Sequence, residues 1–447
     1  VSLKHVTFVR PHLSDMRSSD AMEPLVFAIL AARTPPHIRL TLYDERLETV
    51  PLDQPTDLVA ISVDTFTARR GYQIAAAYRR RGVPVVLGGY HPTLASDEAA
   101  EHCDALCIGD AEGLWERILD DARRSRLQPR YQQDMPPALD QGPLPDRSIF
   151  AGKRYAPVSL VQFGRGCQYN CDFCSIRAFY GNSLRYRPVE QVLAEIRNQP
   201  HRLLGLVDDN LFADRERAQA LLRGLIPLGK RWVCQASIDI TWDPDLLRLM
   251  RESGCLAVMI GFESLQPENL TQMNKRWSLR GGGFRAAVEG LRAHGIQVYG
   301  SFVFGYDHDT PEVFDATARL AVETGLCLAN FNLLTPTPGT RLYERLEQQG
   351  RMRYHPWWLD PAFRYGQAPF RPLGMTSEQL DAGCYRARRL FYGYGAIVRR
   401  LLLGSGLGTR PRDLGMLLAA NLVARREVRR KQHRLLGAAL VPRSDWR

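Results

Sequence analysis

Twice along this chain, short apolar runs alternate with segments of helical period, and that alternation limits the fold more than any other property of the sequence. The first series reads HVTFV, EPLVFAILAA, IRLTLYD, LVAISV, GYQIAAAYRRRG, PVVLGG and GLWERILDDARR. Such an order predicts βαβ units around a parallel sheet, a doubly wound, Rossmann-like domain over residues 1–125. Residues 126–155, with LQPRYQQDMPPALDQGPLPDR, read as a linker. A second series offers strands in PVSLVQF, LLGLVDD, WVCQAS, LAVMIGF, VYGSFVFG and LANFNLL, separated by helix-like spans such as PVEQVLAEIR and VFDATARLAVETG. Six strand–helix repeats predict a partial (β/α)6 barrel over 156–345, whose sites fall at strand C-termini. After Pro338-Gly339-Thr340 the pattern changes to a helical, basic C-terminal segment, 346–447, so the fold class expected is α/β with a helical end.

The net charge of +11 over 447 residues is a local property. Residues 385–447 hold fifteen Arg or Lys against Asp413, Glu427 and Asp445, which leaves the body near neutral and argues against a nucleic-acid groove through it. The tail mixes LFYGYGAIV, LLLG and MLLAANLV with Arg425, Arg426, Arg429, Arg430 and Lys431. This composition suits the surface of an anionic membrane or a partner helix, and equally a solvated helix closing the barrel. No uncharged apolar run reaches ~18 residues, because Arg399 and Arg400 interrupt even Tyr394 to Leu403, so no membrane span is expected. Nine cysteines, an odd number, with no apolar export signal at the start, argue against a disulfide framework. The expected location is the cytoplasm, with peripheral contact to the inner membrane face as an option for the tail.

Directly after the first strand of the second series stands Gly164-Arg165-Gly166-Cys167-Gln168-Tyr169-Asn170-Cys171-Asp172-Phe173-Cys174, a C-x3-C-x2-C spacing. Three thiolates on one loop leave the fourth iron of a 4Fe-4S cluster without a protein ligand, and an open iron can bind a substrate. A zinc site would want four ligands and no fourth Cys or His lies nearby, while three core cysteines would not suit a polar, glycine-flanked loop. The triplet resembles the radical S-adenosylmethionine (SAM) superfamily, in which an aromatic residue, here Phe173, precedes the third cysteine. The resemblance implies that the open iron chelates the amino and carboxylate groups of SAM. An electron from the cluster, supplied by a donor such as flavodoxin or ferredoxin, then yields a 5′-deoxyadenosyl radical that removes hydrogen from an unactivated carbon. It further implies SAM contacts from Asp209 and Asn210 after the second strand, Ser237 after the third, Glu263 after the fourth, and Lys275 beside Arg276. Taken singly, each strand-end acid or serine reads equally well as a helix cap.

In the first series, Ser62-Val63-Asp64, Gly88-Gly89-Tyr90-His91 and Gly109-Asp110-Ala111-Glu112-Gly113 all follow strands. Glycine-rich turns let backbone approach a bulky ligand, and ligands of doubly wound domains bind at strand carboxyl ends. These turns, with VDDNLF, QASIDI, GFES, GSFVFGYDHDTPE and TPTPGTRLYERL, resemble the cobalamin-binding subgroup of radical SAM enzymes. That resemblance assigns Ser62, Gly88, Gly89, His91 and Gly109 to cobalamin. The D-x-H-x-x-G motif is absent, so cobalt would carry no protein histidine and its lower ligand is unassigned; a degenerate domain that only packs on the barrel is the alternative. Cys103 and Cys107, on a helix or helix end, and Cys234, Cys255, Cys327 and Cys384 read as core. Tyr306, Asp307, His308, Asp309, Asn330 and Asn332 fall near the barrel mouth; Asp309 reads as a helix cap, and His308 stays open between a relay and a metal site. The activity implied is C-methylation of an unactivated sp3 carbon in a small-molecule or lipid-like substrate. Its alternatives are a non-methylating oxidase, cyclase or rearranging enzyme, and a cobalamin-binding sensor with an inactive barrel.

Overall fold

The computed structural model describes residues 3–14, 16–140, 142–404 and 411–437. Two six-stranded parallel sheets carry the chain. The first holds β1 (His5–Arg10), β2 (Arg39–Asp44), β3 (Leu58–Ser62), β4 (Val85–Gly88), β5 (Ala105–Cys107) and β6 (Arg130–Tyr131) in the order β2-β1-β3-β4-β5-β6. The order reverses at β1, which opens a crevice beyond the carboxyl ends of β1 and β3, where doubly wound domains bind ligands. The strands read as near-continuous apolar runs because both faces are covered: Val6, Phe8 and Val9 of β1 are all buried.

The proline-rich stretch expected as a linker is built into this domain. Arg130–Tyr131 extend the sheet beside β5, the buried Tyr131 hydroxyl donates to Asp121 Oδ2 at 3.0 Å, and Phe150 is buried in the same core. Two-residue strands have no periodicity to detect. Cys107 is likewise on β5 and Cys103 in the loop before it, not on a helix as read from the sequence, although both are buried core residues as expected.

The barrel comprises β7 (Ser159–Val161), β10 (Leu203–Leu206), β11 (Arg231–Ala236), β12 (Cys255–Glu263), β13 (Gln297–Phe304) and β14 (Leu328–Leu333), parallel and in chain order. A small antiparallel hairpin, β8 (Gly164–Arg165) with β9 (Arg185–Tyr186), branches off after β7. Helices Val189–Arg197, Arg215–Leu225, Pro244–Glu252, Gly283–Ala293 and Val313–Glu323 return the chain between strands. Their apolar residues recur at helical spacing: Ala218, Leu221, Leu222 and Leu225 face the sheet, and Asp214 caps that helix by accepting from Arg217 N at 3.1 Å. Phe302 stacks between Phe262 and Phe331, filling the core between adjacent strands.

The C-terminal segment is helical only in part. Residues 349–376 form irregular structure around buried Trp357, Trp358, Phe363 and Phe370, before helices Ser377–Phe391, Tyr394–Gly404 and Pro411–Lys431. Trp358 Nε1 donates to Glu98 of the first domain at 3.0 Å, joining the chain's end to its beginning. Some of the tail's charge is structural. Arg400 is buried, stacks 3.6 Å over Phe391, and donates to the carbonyls of Leu326, Cys327 and Phe391 and to Asn421 Oδ1. Among the described residues no helix is long and apolar enough to cross a membrane.

Asp309 is not the cap expected of it. Buried, it accepts from Gly305 N at 2.8 Å and Asn269 Nδ2 at 2.7 Å, tying the end of β13 to helix Pro267–Gln272, while the next helix starts at Val313. Burial pushes its pKa up to about 6. The folded state then holds a proton that the unfolded state has released, so this group's contribution to stability is full below the ordinary aspartate range and is lost as pH rises through about 6. Urea titrations are expected to show stability falling by about 1.4 kcal/mol per pH unit across that window from this group. Asp309→Asn should flatten that slope.

Candidate cluster and cofactor cavities

Three residues after β10 hold the cysteine loop in shape. The buried Asp208 carboxylate accepts from the backbone N–H groups of Phe163 and Gly164, and Asp209 accepts from Gly166 N at 2.8 Å. Asn210 Nδ2 donates to Gln168 Oε1 at 3.0 Å and Ser237 Oγ at 3.1 Å, and lies 3.8 Å from Cys167 Sγ. Burial pushes the Asp208 carboxyl up to about 7, a cost that its two backbone donors offset only in part. Gly166 has φ +95°, and a Cβ there would stand 2.0 Å from the Ser183 carbonyl oxygen, so only glycine closes this turn. Tyr169 stacks on Trp277 at 3.7 Å, and Asp172 accepts from the Tyr306 hydroxyl at 2.6 Å and pairs with Arg345 at 3.1 Å. Local spacing could not have revealed these three long-range contacts.

Cys167, Cys171 and Cys174 are partly exposed, whereas the other six cysteines are buried. Burial of their sulfurs raises all three thiols, Cys171 to about 12, so metal binding here must displace protons. Among the described residues no three His, Cys, Asp or Glu side chains are gathered as a single ion would require. Three free, partly exposed thiols on one loop, each able to take a different iron, match the donor set of a four-iron cluster with one iron left open.

Behind the loop, a cavity of about 370 Å³ fills the barrel mouth. Phe173 and Glu263 line it, with alternate residues of adjacent strands, Met259 and Gly261 on β12 and Ser301 and Val303 on β13. Glu263 adopts φ +64°, a conformation L-residues rarely accept, and is held by buried Lys275, whose Nζ lies 2.9 Å from Oε1 and 2.7 Å from the Gly261 carbonyl. Desolvation pulls the Lys275 ammonium down, but Glu263 and Cys171 outweigh it and the net shift is upward, so it stays charged. The expected set therefore divides. Phe173, Glu263 and Lys275 gather at the barrel cavity, Asn210 and Ser237 beside Cys167, and Asp209 turns to the other domain. His308 is exposed and does not line the barrel cavity, whereas Asn332 does.

A second cavity, about 460 Å³, lies between the domains. Its wall includes Ser62, Gly88, Gly89 and Gly109 from one sheet and Gln162, Arg165 and Asp209 from the other, all at carboxyl ends of strands. His91, expected with them, is absent from the wall. It is fully buried, with Nε2 3.0 Å from the Tyr72 hydroxyl and 3.2 Å from Glu98, because helix Tyr90–Leu94 turns residue 91 inward and presents Tyr90 instead. Nor is Gly89 explained by a ligand: a Cβ there would meet the Val63 carbonyl oxygen at 2.8 Å. The cavity's Gly-lined floor suits a broad ring system. Arg165, buried two residues before Cys167, donates to Asp110 at 2.7 Å and Glu112 at 2.5 Å, while Arg185 pairs with Asp110 at 2.6 Å. These ion pairs fix the cysteine loop to the first domain.

The profile of the Radical SAM superfamily matches residues 161–321. The chain is 32% identical over 391 residues to the bacteriochlorophyllide d C-12(1)-methyltransferase of Chlorobaculum tepidum, covering 85% of this chain and 84% of that one. It is 27% identical over 356 residues to the hopanoid C-2 methylase of Rhodopseudomonas palustris, 74% of this chain and 65% of that one. In fold it resembles the radical S-adenosylmethionine methyltransferase TsrM of Kitasatospora setae, solved with cobalamin and a 4Fe-4S cluster, with a TM-score of 0.63 over 96% of this chain and all of that one at 17% identity.

Gly166→Ala should leave a folded protein unable to assemble its cluster, read as loss of iron, sulfide and the visible cluster absorption after anaerobic reconstitution. Arg165→Ala strands the buried Glu112 carboxylate and leaves Asp110 to Arg185 alone. Denaturant titration of the cofactor-free protein should show a loss on the order of 3–5 kcal/mol.

Proposed function

Because this chain belongs to the radical SAM superfamily, we propose that it is a cobalamin-dependent C-methyltransferase acting on an unactivated sp3 carbon. One observation carries the reading: the carboxyl ends of strands from both sheets line a single cavity, and two arginines from the cysteine side of that cavity grip the Gly-rich turn opposite. A barrel acting alone has no use for such a cavity. When bound, the cluster and SAM would supply the radical and cobalamin the methyl group. Cys167, Cys171 and Cys174 would hold the cluster, with Asn210 fixing the loop at Cys167. Glu263, Phe173 and Ser237 would border SAM, and Lys275 would hold Glu263 in place. Ser62, Gly88 and Gly109 would border cobalamin, joined by Tyr90 in place of His91. The protein's own work is positioning, because a primary radical quenches on any stray hydrogen unless water and side chains are held away.

The methyl acceptor we propose is a large polycyclic, amphipathic molecule, a tetrapyrrole first and a polycyclic lipid second, by analogy with the relatives. A small acidic electron-transfer protein of the flavodoxin or ferredoxin kind would reduce the cluster. Exposed Tyr394, Val398, Leu418 and Leu422, set among tail arginines, suit peripheral contact with an anionic membrane on its cytoplasmic side, where such acceptors partition.

Anaerobic turnover with iron, sulfide, cobalamin, SAM, dithionite and bacteriochlorophyllide d should yield S-adenosylhomocysteine and 5′-deoxyadenosine together, with a product heavier by one CH2. Cys174→Ala should yield neither 5′-deoxyadenosine nor product. Release of 5′-deoxyadenosine with no methylated product would move the chain to the non-methylating class.

A further inference from the structure

A third cavity, about 650 Å³, joins the other two. It shares Arg10, Asp64 and Tyr90 with the cavity between the domains, and Phe66, Thr335 and Tyr365 with the barrel cavity. A molecule reached from both cofactor sites has to lie here. One part of its wall is basic. Arg10 ends β1 and His12 follows it, Arg46 follows β2, and Lys431 ends the last helix; residues distant in sequence converge on one side of the space.

The four basic groups differ in what they already hold. Arg46 grips Asp44 through Nε at 3.0 Å and Nη2 at 2.6 Å, and Lys431 lies 3.1 Å from Asp20 and 3.5 Å from Glu427. Arg10 has no such partner: its nearest carboxylate, Asp64, is 4.0 Å away, and its buried Nε has no hydrogen-bond partner among the described residues. His12 is 5% exposed, and its Nε2 is also without a partner among them. Burial, then Lys431 and Arg46, lowers His12 to about 4, so it is a neutral imidazole beside three cations. A buried guanidinium nitrogen and a buried imidazole nitrogen left unbonded cost free energy that an acceptor atom would recover. Two carboxylates, Asp20 and Asp64, also line the cavity, so the wall favours an anion at one point and not throughout.

We propose that Arg10 and His12 form a carboxylate-binding subsite, which takes an acidic side arm of the methyl acceptor while its ring system extends past Phe66 and Tyr365 toward the barrel. The inference rests on the function proposed above in taking the ligand to be the methyl acceptor. Arg46 and Lys431 add long-range attraction and keep His12 neutral, so that it donates or accepts a hydrogen bond without competing for the anion's charge. A phosphodiester, such as that in cobalamin's nucleotide arm, would satisfy the same two groups, and the test separates the sources.

The cluster-reconstituted full chain would be titrated with two acid–neutral pairs, protoporphyrin IX with its dimethyl ester and hexadecanoic acid with hexadecanol, and with cobalamin against cobinamide, which lacks the phosphodiester. The expected result is that an acid binds about tenfold or more tightly than its neutral partner, and that Arg10→Met removes this preference while Arg10→Lys restores part of it. His12→Phe should weaken the acid and spare the neutral partner. Cluster absorption serves as the folding control for every variant, and either Arg10→Met or His12→Phe suffices. Acid preference confined to the hexadecyl pair would support the subsite and overturn only the tetrapyrrole reading. The absence of acid preference in both pairs, including absence of binding, overturns the subsite. So does an Arg10→Met effect that appears in the cobalamin–cobinamide ratio alone.

Discussion

Arg165 gives its guanidinium to two carboxylates of the other domain from a position two residues before Cys167, and both sides of that contact are nearly sealed from water. Desolvating three charged groups is expensive, and a well-packed apolar contact would hold two domains together at least as well. What ions add is geometry. A guanidinium fork meets a carboxylate in few orientations, so the angle between the cysteine loop and the Gly109–Gly113 turn is set to within the tolerance of a hydrogen bond. Chemistry that draws on one cofactor in each domain would depend on that tolerance, since a displacement of about 1 Å is enough to lose much of the rate.

The loop fixed in this way is itself a polar construction with little core beneath it. Asp208, Asp209 and Asn210 are consecutive residues at one strand end, and each holds a different part of the cysteine loop: two backbone donors before Gly166, Gly166 itself, and the side chain of Gln168. A loop held by hydrogen bonds rather than by buried apolar surface can keep its path before metal arrives, while leaving three sulfurs accessible. The Glu263–Lys275 pair does similar work across the cavity, where a positive φ brings the carboxylate in over the strand end.

Much of this architecture could be read from the chain because its signals are local. Parallel strands covered on both faces are continuous apolar runs, and all six barrel strands and the first four of the other sheet announce themselves that way. The cysteine spacing is local too. What the sequence hid depends on distant partners. Arg165 looks like any charged residue until Asp110 and Glu112 are set beside it, and His91 looks like a ligand until Tyr72 and Glu98 enclose it. Residues 349–376 bury four aromatic side chains, Trp357, Trp358, Phe363 and Phe370, without regular structure, so no period marks them as core. Asp309 was misread for the opposite reason: Thr310-Pro311-Glu312 is a sound helix-start signal, but Gly305 and Asn269 had a prior claim on its carboxylate.

The walls of the three cavities are completed at different points along the chain. Every residue lining the space between the domains lies between Arg10 and Asp209, in the first half of the sequence. The barrel cavity needs residues as late as Arg388, and the cavity that joins them waits for Lys431. A chain made from its amino end, folding domain by domain as it emerges, therefore completes the wall between the domains only when the barrel closes, and the wall of the shared vestibule last. Order of synthesis becomes order of closure: the residue that completes the vestibule stands at the end of the last helix, behind everything else it encloses.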